Sequence, residues 1–204
     1  MGPLSVAIPP PHGLARRPLT ETLNVAMHAT LDFGHPRTEA DWHNAQILIH
    51  ELIEWDVSQS RHQGFDRAEV VEIFYPDTWE DIRAHSAEPG GGFLLATAGG
   101  NPAGCAAFKR LSPEVCELYS VYVRPDFRGQ RIASHLISRL KKEAFAIGYL
   151  TMYLETATFM SDAHRLYRAH GFKVRHHYRP LPPRHANAIV SMQCDLSPPQ
   201  EGAT

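Results

Sequence analysis

The sequence predicts one mixed α/β domain, and three observations carry that prediction. The 204 residues, 43% of them hydrophobic, suffice for one sizeable core, whereas a second full domain would leave both undersized. Apolar residues recur at helical spacing in some segments and alternate in others, and the two kinds are interleaved without internal repeats. Glycine and proline clusters fall between them and set the boundaries.

Residues 1–23 are Pro-rich and aperiodic, as is the tail 197–204, so both are expected to be flexible ends of a domain spanning 24–196. Asn24 to Leu31 alternates weakly and is read as a first strand. Thr38, three residues before Asp41, gives a cap signal for a helix whose stripe is Ala45, Leu48, Ile49, Leu52 and Ile53, and which stops before Gly64. A second helix covers Asp66 to Phe74 and ends ahead of Pro76, with a further turn at Thr78 to Ala84. After the breaker Glu88-Pro-Gly-Gly-Gly92, the segments Phe93 to Ala98 and Ala103 to Arg110 read as a hairpin, and Cys116 to Val123 as the next strand. Ile132, Leu136, Ile137, Leu140, Ala144 and Phe145 line one face of a helix within Gly129 to Gly148. A strand at Tyr149 to Glu155 follows. A helix capped by Ser161 or Asp162 then stops at Gly171, and two strands, near Phe172 to Tyr178 and Ala188 to Asp195, flank a Pro-rich loop.

The passage from Val121-Tyr122-Val123 into Arg128-Gly129-Gln130-Arg131-Ile132-Ala133 has chemical meaning. The first N–H groups of a helix lack internal partners and, with the helix dipole, attract an anion. An ordinary strand-to-helix turn is the alternative on spacing alone. Glu117 to Leu136, however, resembles motif A of the GNAT N-acetyltransferases, whose core is Arg/Gln-x-x-Gly-x-Gly/Ala. Arg128 and Ala133 match its ends, and Arg131 stands where the inner glycine belongs. Ala163-His-Arg-Leu-Tyr167-Arg-Ala-His-Gly171-Phe172 is similar to the family's second signature, Ala-x-x-Leu-Tyr-x-x-x-Gly-Phe, with Met160 where many relatives carry asparagine.

The resemblance implies a GNAT-like fold, a mixed and mostly antiparallel central sheet flanked by helices. It also implies acetyl-CoA as cofactor, held by Val121, Tyr122, Val123, Arg128, Gly129, Gln130, Arg131, Ile132 and Ala133. Amide formation needs a deprotonated amine, a polarised thioester carbonyl and a proton for the departing thiolate. The resemblance assigns the first task to Glu117, with Glu155 and the histidines His170, His176 and His177 as competitors, and the last to Tyr167. An exposed strand position for Glu117 and a core position for Tyr167 are the plainer readings of those residues.

A formal charge of −2 gives no sign of a nucleic-acid or anionic-membrane partner. No apolar run has the length of a membrane span, and three cysteines without paired or metal-type spacing suit a reducing compartment, so the expectation is cytoplasmic. The 13 histidines form no ligand-spaced cluster, since His50-Glu51-Leu52-Ile53-Glu54 lacks the second histidine of a zinc-protease motif, and no metal is expected. Cys116 beside Glu117 is read as an inert strand cysteine, hence direct transfer in a ternary complex. The acceptor is expected to be a small-molecule or amino-acid amine; acetylation of a protein amine, or a non-catalytic acyl-CoA-binding role, are the alternatives. The final strands offer an edge for a homodimer.

Overall fold

The structure, a computed structural model, describes residues 30–87 and 89–197. Seven strands form one sheet in the order β1-β2-β3-β4-β5-β7-β6: β1 Leu31–Gly34, β2 Gly92–Ala98, β3 Asn101–Arg110, β4 Val115–Val123, β5 Thr151–Ala157, β6 Lys173–Arg175 and β7 Ile189–Asp195. Every neighbouring pair is antiparallel except β4 with β5. The mixed, mostly antiparallel fold is therefore as the sequence reading had it. The helices are α1 Glu39–Ser60, α2 Arg67–Phe74, α3 Trp79–Ala87, α4 Ile132–Ile147, α5 Ser161–Ala169 and the single turn α6 Pro183–Ala186.

Local chemistry accounts for most boundaries. Thr38 caps α1 in a reciprocal capping box with Asp41, and Asp66 does the same for α2 with Glu69. Gly148 and Gly171, at φ 110° and 84°, take the left-handed turn that ends α4 and follows α5. Several boundaries depart from expectation, and three of them have local causes or limits. The first strand starts at Leu31, and Asn24 to Ala29 lie outside the described residues. α4 begins at Ile132 rather than near Gly129, because Gly129 and Arg131 both have positive φ and cannot continue a right-handed helix. α5 is entered from Met160 with no side-chain cap, so neither Ser161 nor Asp162 caps it.

Two apolar clusters sandwich the sheet. On one face α4 lays Ile132, Leu136, Ile137, Leu140 and Ala144 against Leu94, Phe108, Cys116, Met152 and Leu154, joined by Tyr167 and Phe172. On the other, Ala45, Leu48, Ile49 and Leu52 of α1 meet Phe93, Leu95, Cys105 and Tyr122. Each fully buried leucine or isoleucine there contributes about 1.5–3 kcal/mol relative to exposure.

A bulge in β4 decides which residues see which face. Ala107 opposes Tyr119 and Cys105 opposes Tyr122, so the register slips between them, and Ser120 carries φ 52°. The extra residue reverses side-chain alternation. Leu118 belongs to the α4-side cluster, yet Tyr122, four residues on and of the same parity, packs on the α1 side.

Candidate active site

β4 and β5 pair only at Val115↔Thr151, Cys116↔Met152 and Glu117↔Tyr153. Past Glu117 they splay, and the edge of β4 faces the gap without a strand partner. The β4 edge then leads to the start of α4, where no described acceptor takes a hydrogen bond from the backbone N–H groups of Gly129 through Ser134. They precede and open the positive end of a 16-residue helix, where N–H groups without internal partners and the helix dipole favour an anion. Arg131, at φ 58° and ψ 17°, adopts the left-handed conformation of the motif glycine it replaces. Its side chain is exposed and its amide is presented all the same. Arg128 stays beside the loop: its Nε donates to the Val123 carbonyl at 3.2 Å and its guanidinium lies 5.9 Å from the Trp55 ring. Among the predicted cofactor residues, Tyr122 and Ile132 differ in kind. Their side chains are buried in the α1-side and α4-side cores, which leaves only their backbones to serve a ligand.

On the α1 face the splay opens into a cavity of about 760 Å³. Glu117, Tyr167, Val121, Glu155 and Asp56 all line it, so the two predicted catalytic residues share one cavity. The loop after β6 closes over it. Tyr178 donates its hydroxyl to Glu117, and Arg179 pairs with Glu155 at 2.6 Å while donating to the Ile73 carbonyl at 2.9 Å. Arg184 reaches on to Glu69 of α2 at 2.7 Å. Sequence reading offered His176 and His177 of this loop as site candidates but gave Tyr178 and Arg179 no contact with the site, because a Pro-rich, His-rich stretch has no periodicity to show where it folds back.

Glu117 is only 16% exposed at its side chain. Burial raises its pKa, opposed by the Tyr178 hydrogen bond and by Lys109, whose Nζ stands 3.8 Å from Oε2 while pairing with Asp77. Glu155, the competing base, has its oxygens engaged by Arg179 and by the Ser191 hydroxyl at 3.2 Å. Tyr167 is 8% exposed and packs edge-on against Phe172, with centroids 5.8 Å apart; burial, then the charge of Asp56, pushes its phenol up. Both plainer readings of these two residues are thereby half met, for each is packed and each lines the cavity.

None of the three candidate histidines lines the cavity. His170 lies on the α4 side, bonded to Ser134 at 2.9 Å, and its backbone carbonyl accepts from Lys141 at 2.7 Å. Burial and Lys141 lower its pKa. His177 shares a 2.8 Å bond with Ser191, one step behind Glu155. The cysteines are buried, and the Cys116 thiol is pushed up to about 12 by burial, then by Cys194, which leaves it no thiolate for a covalent step.

Asp56 is the residue that sequence reading missed. It sits on the buried stripe of α1 at 6% exposure, Tyr75 donates to its Oδ2, and its Oδ1 has no partner among the described residues. Burial lifts its pKa from 3.8 to about 6. The sign follows from linkage: below pH 4 the group is neutral in both states, and above pH 6 the fold holds a buried carboxylate that the unfolded chain holds in water. That costs roughly 3 kcal/mol of stability at neutral pH. An acidic residue on an otherwise apolar stripe, Leu48, Ile49, Leu52, Asp56, was the available signal.

An unpaired strand edge running to a helix start with unpartnered N–H groups, beside an acid-lined cavity, is an arrangement that suits coenzyme-dependent acyl transfer. The model of the Acetyltransferase (GNAT) family matches residues 47–172, and the chain belongs to that family. It is 33% identical over 101 residues to an uncharacterized N-acetyltransferase of Schizosaccharomyces pombe, the match covering 48% of this chain and 59% of that protein. It is also 33% identical over 99 residues to the IAA acetyltransferase of Azospirillum brasilense, covering 48% and 64%. The chain thus spans less than two thirds of either relative's length. Among solved structures, the PaiA N-acetyltransferase of Thermoplasma acidophilum in complex with coenzyme A superposes with a TM-score of 0.64 at 17% identity, covering 81% of this chain and 99% of that one. YncA of Salmonella typhimurium with its cofactor acetyl-CoA does so at 0.60 and 19%, covering 85% and 96%. These likenesses establish the fold. No helix among the described residues is long and apolar enough to cross a membrane.

Proposed function

We propose that the protein is an acetyl-CoA-dependent N-acetyltransferase that passes an acetyl group directly to the primary amine of a small molecule. The observation that carries this is the meeting of the free β4 edge, the unpartnered N–H run from Gly129 to Ser134 and the cavity lined by Glu117 and Tyr167. The N–H run from Gly129 to Ser134 would hold the coenzyme diphosphate, and the free β4 edge near Val121 to Val123 would hold the pantetheine arm. A backbone N–H there polarises the thioester carbonyl, in the manner of fixed oxyanion donors. Glu117 takes the amine proton directly or through water, and Tyr167 donates to the coenzyme sulfur. A cavity of about 760 Å³ lined by α1, α2 and the loop after β6 has room for a small acceptor and supports that reading. Coenzyme-bearing relatives of the same fold support the reading, and three buried free cysteines agree with a reducing, cytoplasmic setting.

Calorimetric titration with acetyl-CoA is the direct test, with saturable micromolar binding expected and no binding at millimolar coenzyme overturning the proposal. An amine screen for acetyl transfer separates an enzyme from a binding module. Within the same titration, Arg131→Gly should bind within a few-fold of the parent, because glycine takes the left-handed conformation freely. Arg131→Glu should bind at least about tenfold more weakly, as it sets a carboxylate against the diphosphate. Equal affinities in the two variants would show that this side chain does not approach the phosphates.

A further inference from the structure

Lys109 and Glu117 stand directly opposite each other in the β3–β4 ladder. Opposite charges at facing positions of an antiparallel pair are within reach of a direct ion pair. Here that contact is not made. The Lys109 ammonium bonds instead to Asp77, in the turn between α2 and α3, and stops 3.8 Å from Glu117 Oε2. The Tyr119 ring faces the ammonium from 5.2 Å, and His85 of α3 reaches Asp77 only at 4.0 Å. The side chains of Lys109, Asp77 and Glu117 are all largely buried, so their charges are weakly screened.

Where that one ammonium sits matters because of what else surrounds Glu117. The loop after β6 brings Tyr178, which donates to its Oε1, and Arg179, which is held by Glu155 of β5 at 2.6 Å and by the Ile73 carbonyl at 2.9 Å. Cys116 and Tyr119 neighbour it along β4, Tyr153 is its partner on β5, and α1 contributes His50 and Asp56 to the same cavity. Arg179 is thus fixed from two sides, whereas Asp77 is the one hydrogen-bond partner of the Lys109 ammonium among the described residues. Without Asp77, Glu117 is the next carboxylate in reach. A glutamate in direct contact with an ammonium stays ionised but accepts a proton poorly, because the cation that stabilises the carboxylate opposes its protonation.

We infer that Asp77 is a positioning residue for acetyl transfer: by drawing the Lys109 ammonium to itself it keeps Glu117 out of a direct ion pair and leaves that carboxylate able to take the acceptor's proton. The inference rests on the proposed function for the role of Glu117 and deepens it. Asp77 acts through Lys109 and not on the reacting atoms. At 3.8 Å the ammonium still favours the ionised form against burial, so the pair sets Glu117 between two unproductive extremes. With no cation near, the buried group holds its proton more often; with the cation in contact, it is too weak a base.

The test follows the titration of Glu117 directly, through the carboxyl ¹³C NMR signal of the full chain labelled in glutamate, assigned by its loss in Glu117→Gln. Asp77→Asn is expected to lower the pKa of Glu117 by about one unit, as for an opposite charge brought into contact, and to carry the acidic limb of the kcat profile down with it. Lys109→Met is expected to raise both by about as much. In the Lys109→Met background, Asp77→Asn should move Glu117 by less than half of its effect in the parent, since the ammonium that Asp77 positions is gone. Melting of each variant checks its fold, and Asp77→Ser and Lys109→Gln replace any that do not fold. Glu117 unmoved or shifted upward in Asp77→Asn, or an equal shift with and without Lys109, would overturn the inference. The expected NMR shifts together with an acidic limb that persists in Glu117→Gln would support the hold of Asp77 on Lys109 and overturn instead the reading of Glu117 as the base.

Discussion

Tyr167→Phe is expected to slow turnover about 100-fold while leaving coenzyme affinity within about twofold. The affinity should survive because the ring does the packing: it lies edge-on to Phe172 within the α4-side cluster, and phenylalanine keeps that contact. The turnover should not, since the hydroxyl is the part turned to the cavity. Burial and Asp56 hold the phenol protonated well above the working range, so Tyr167 serves as a hydrogen-bond donor to the developing thiolate and not as a titrating acid. Two consequences separate it from a structural residue. The basic limb of the pH profile should be unchanged in the variant, and the defect should shrink with an acyl donor whose leaving thiol is more acidic. Full activity of Tyr167→Phe with ordinary acetyl-CoA would return this tyrosine to the core.

Glu117→Gln is expected to lower kcat by about 10²–10³ with little change in the KM for coenzyme. The carboxylate is the base only when ionised, and burial raises its pKa, so the acidic limb of the parent kcat profile should lie above the ordinary glutamate value of 4.5. The variant should lose that limb. Tyr178→Phe supplies a signed control: its hydroxyl stabilises the ionised form, so removing it should move the limb to still higher pH. An unaltered acidic limb in Glu117→Gln would transfer the proton to Glu155 or to water.

Much of this was legible in the chain itself. The coenzyme half is built from local signals: Gly129 in the turn, a 3.6-residue stripe from Ile132 to Ala144, and Gly148 and Gly171 as stops. Each acts within a few residues of where it is written, and each appears in the fold. The acceptor half is built from contacts far apart in sequence. Tyr178 meets Glu117 and Arg184 meets Glu69, and no spacing rule connects such positions. Asp56 could have been noticed, since it interrupts an apolar stripe, but a lone acidic residue near a helix end is usually solvated. The shift of β5 from Tyr149–Glu155 to Thr151–Ala157 has a comparable origin. Tyr149 is apolar enough to read as strand, yet its hydroxyl donates to the Gly90 carbonyl at 2.6 Å, and it packs beneath the turn before β2 instead of entering the ladder.

The bulge at Ser120 also constrains how the gene can change. Upstream of it, Glu117 and Tyr119 look toward the acceptor cavity and Leu118 toward α4; downstream, Tyr122 looks toward α1 while Val121 and Val123 pack against the α4-side cluster. Deleting one codon there would straighten the strand and exchange the partners of every residue on one side, driving a tyrosine into the space of a valine and bringing valines up beneath α1. The interval from Glu117 to Arg128 is thus a counted length. Acceptor choice can drift through point substitutions in α1, α2 and the loop after β6, whereas insertions and deletions in this stretch of β4 are closed to it.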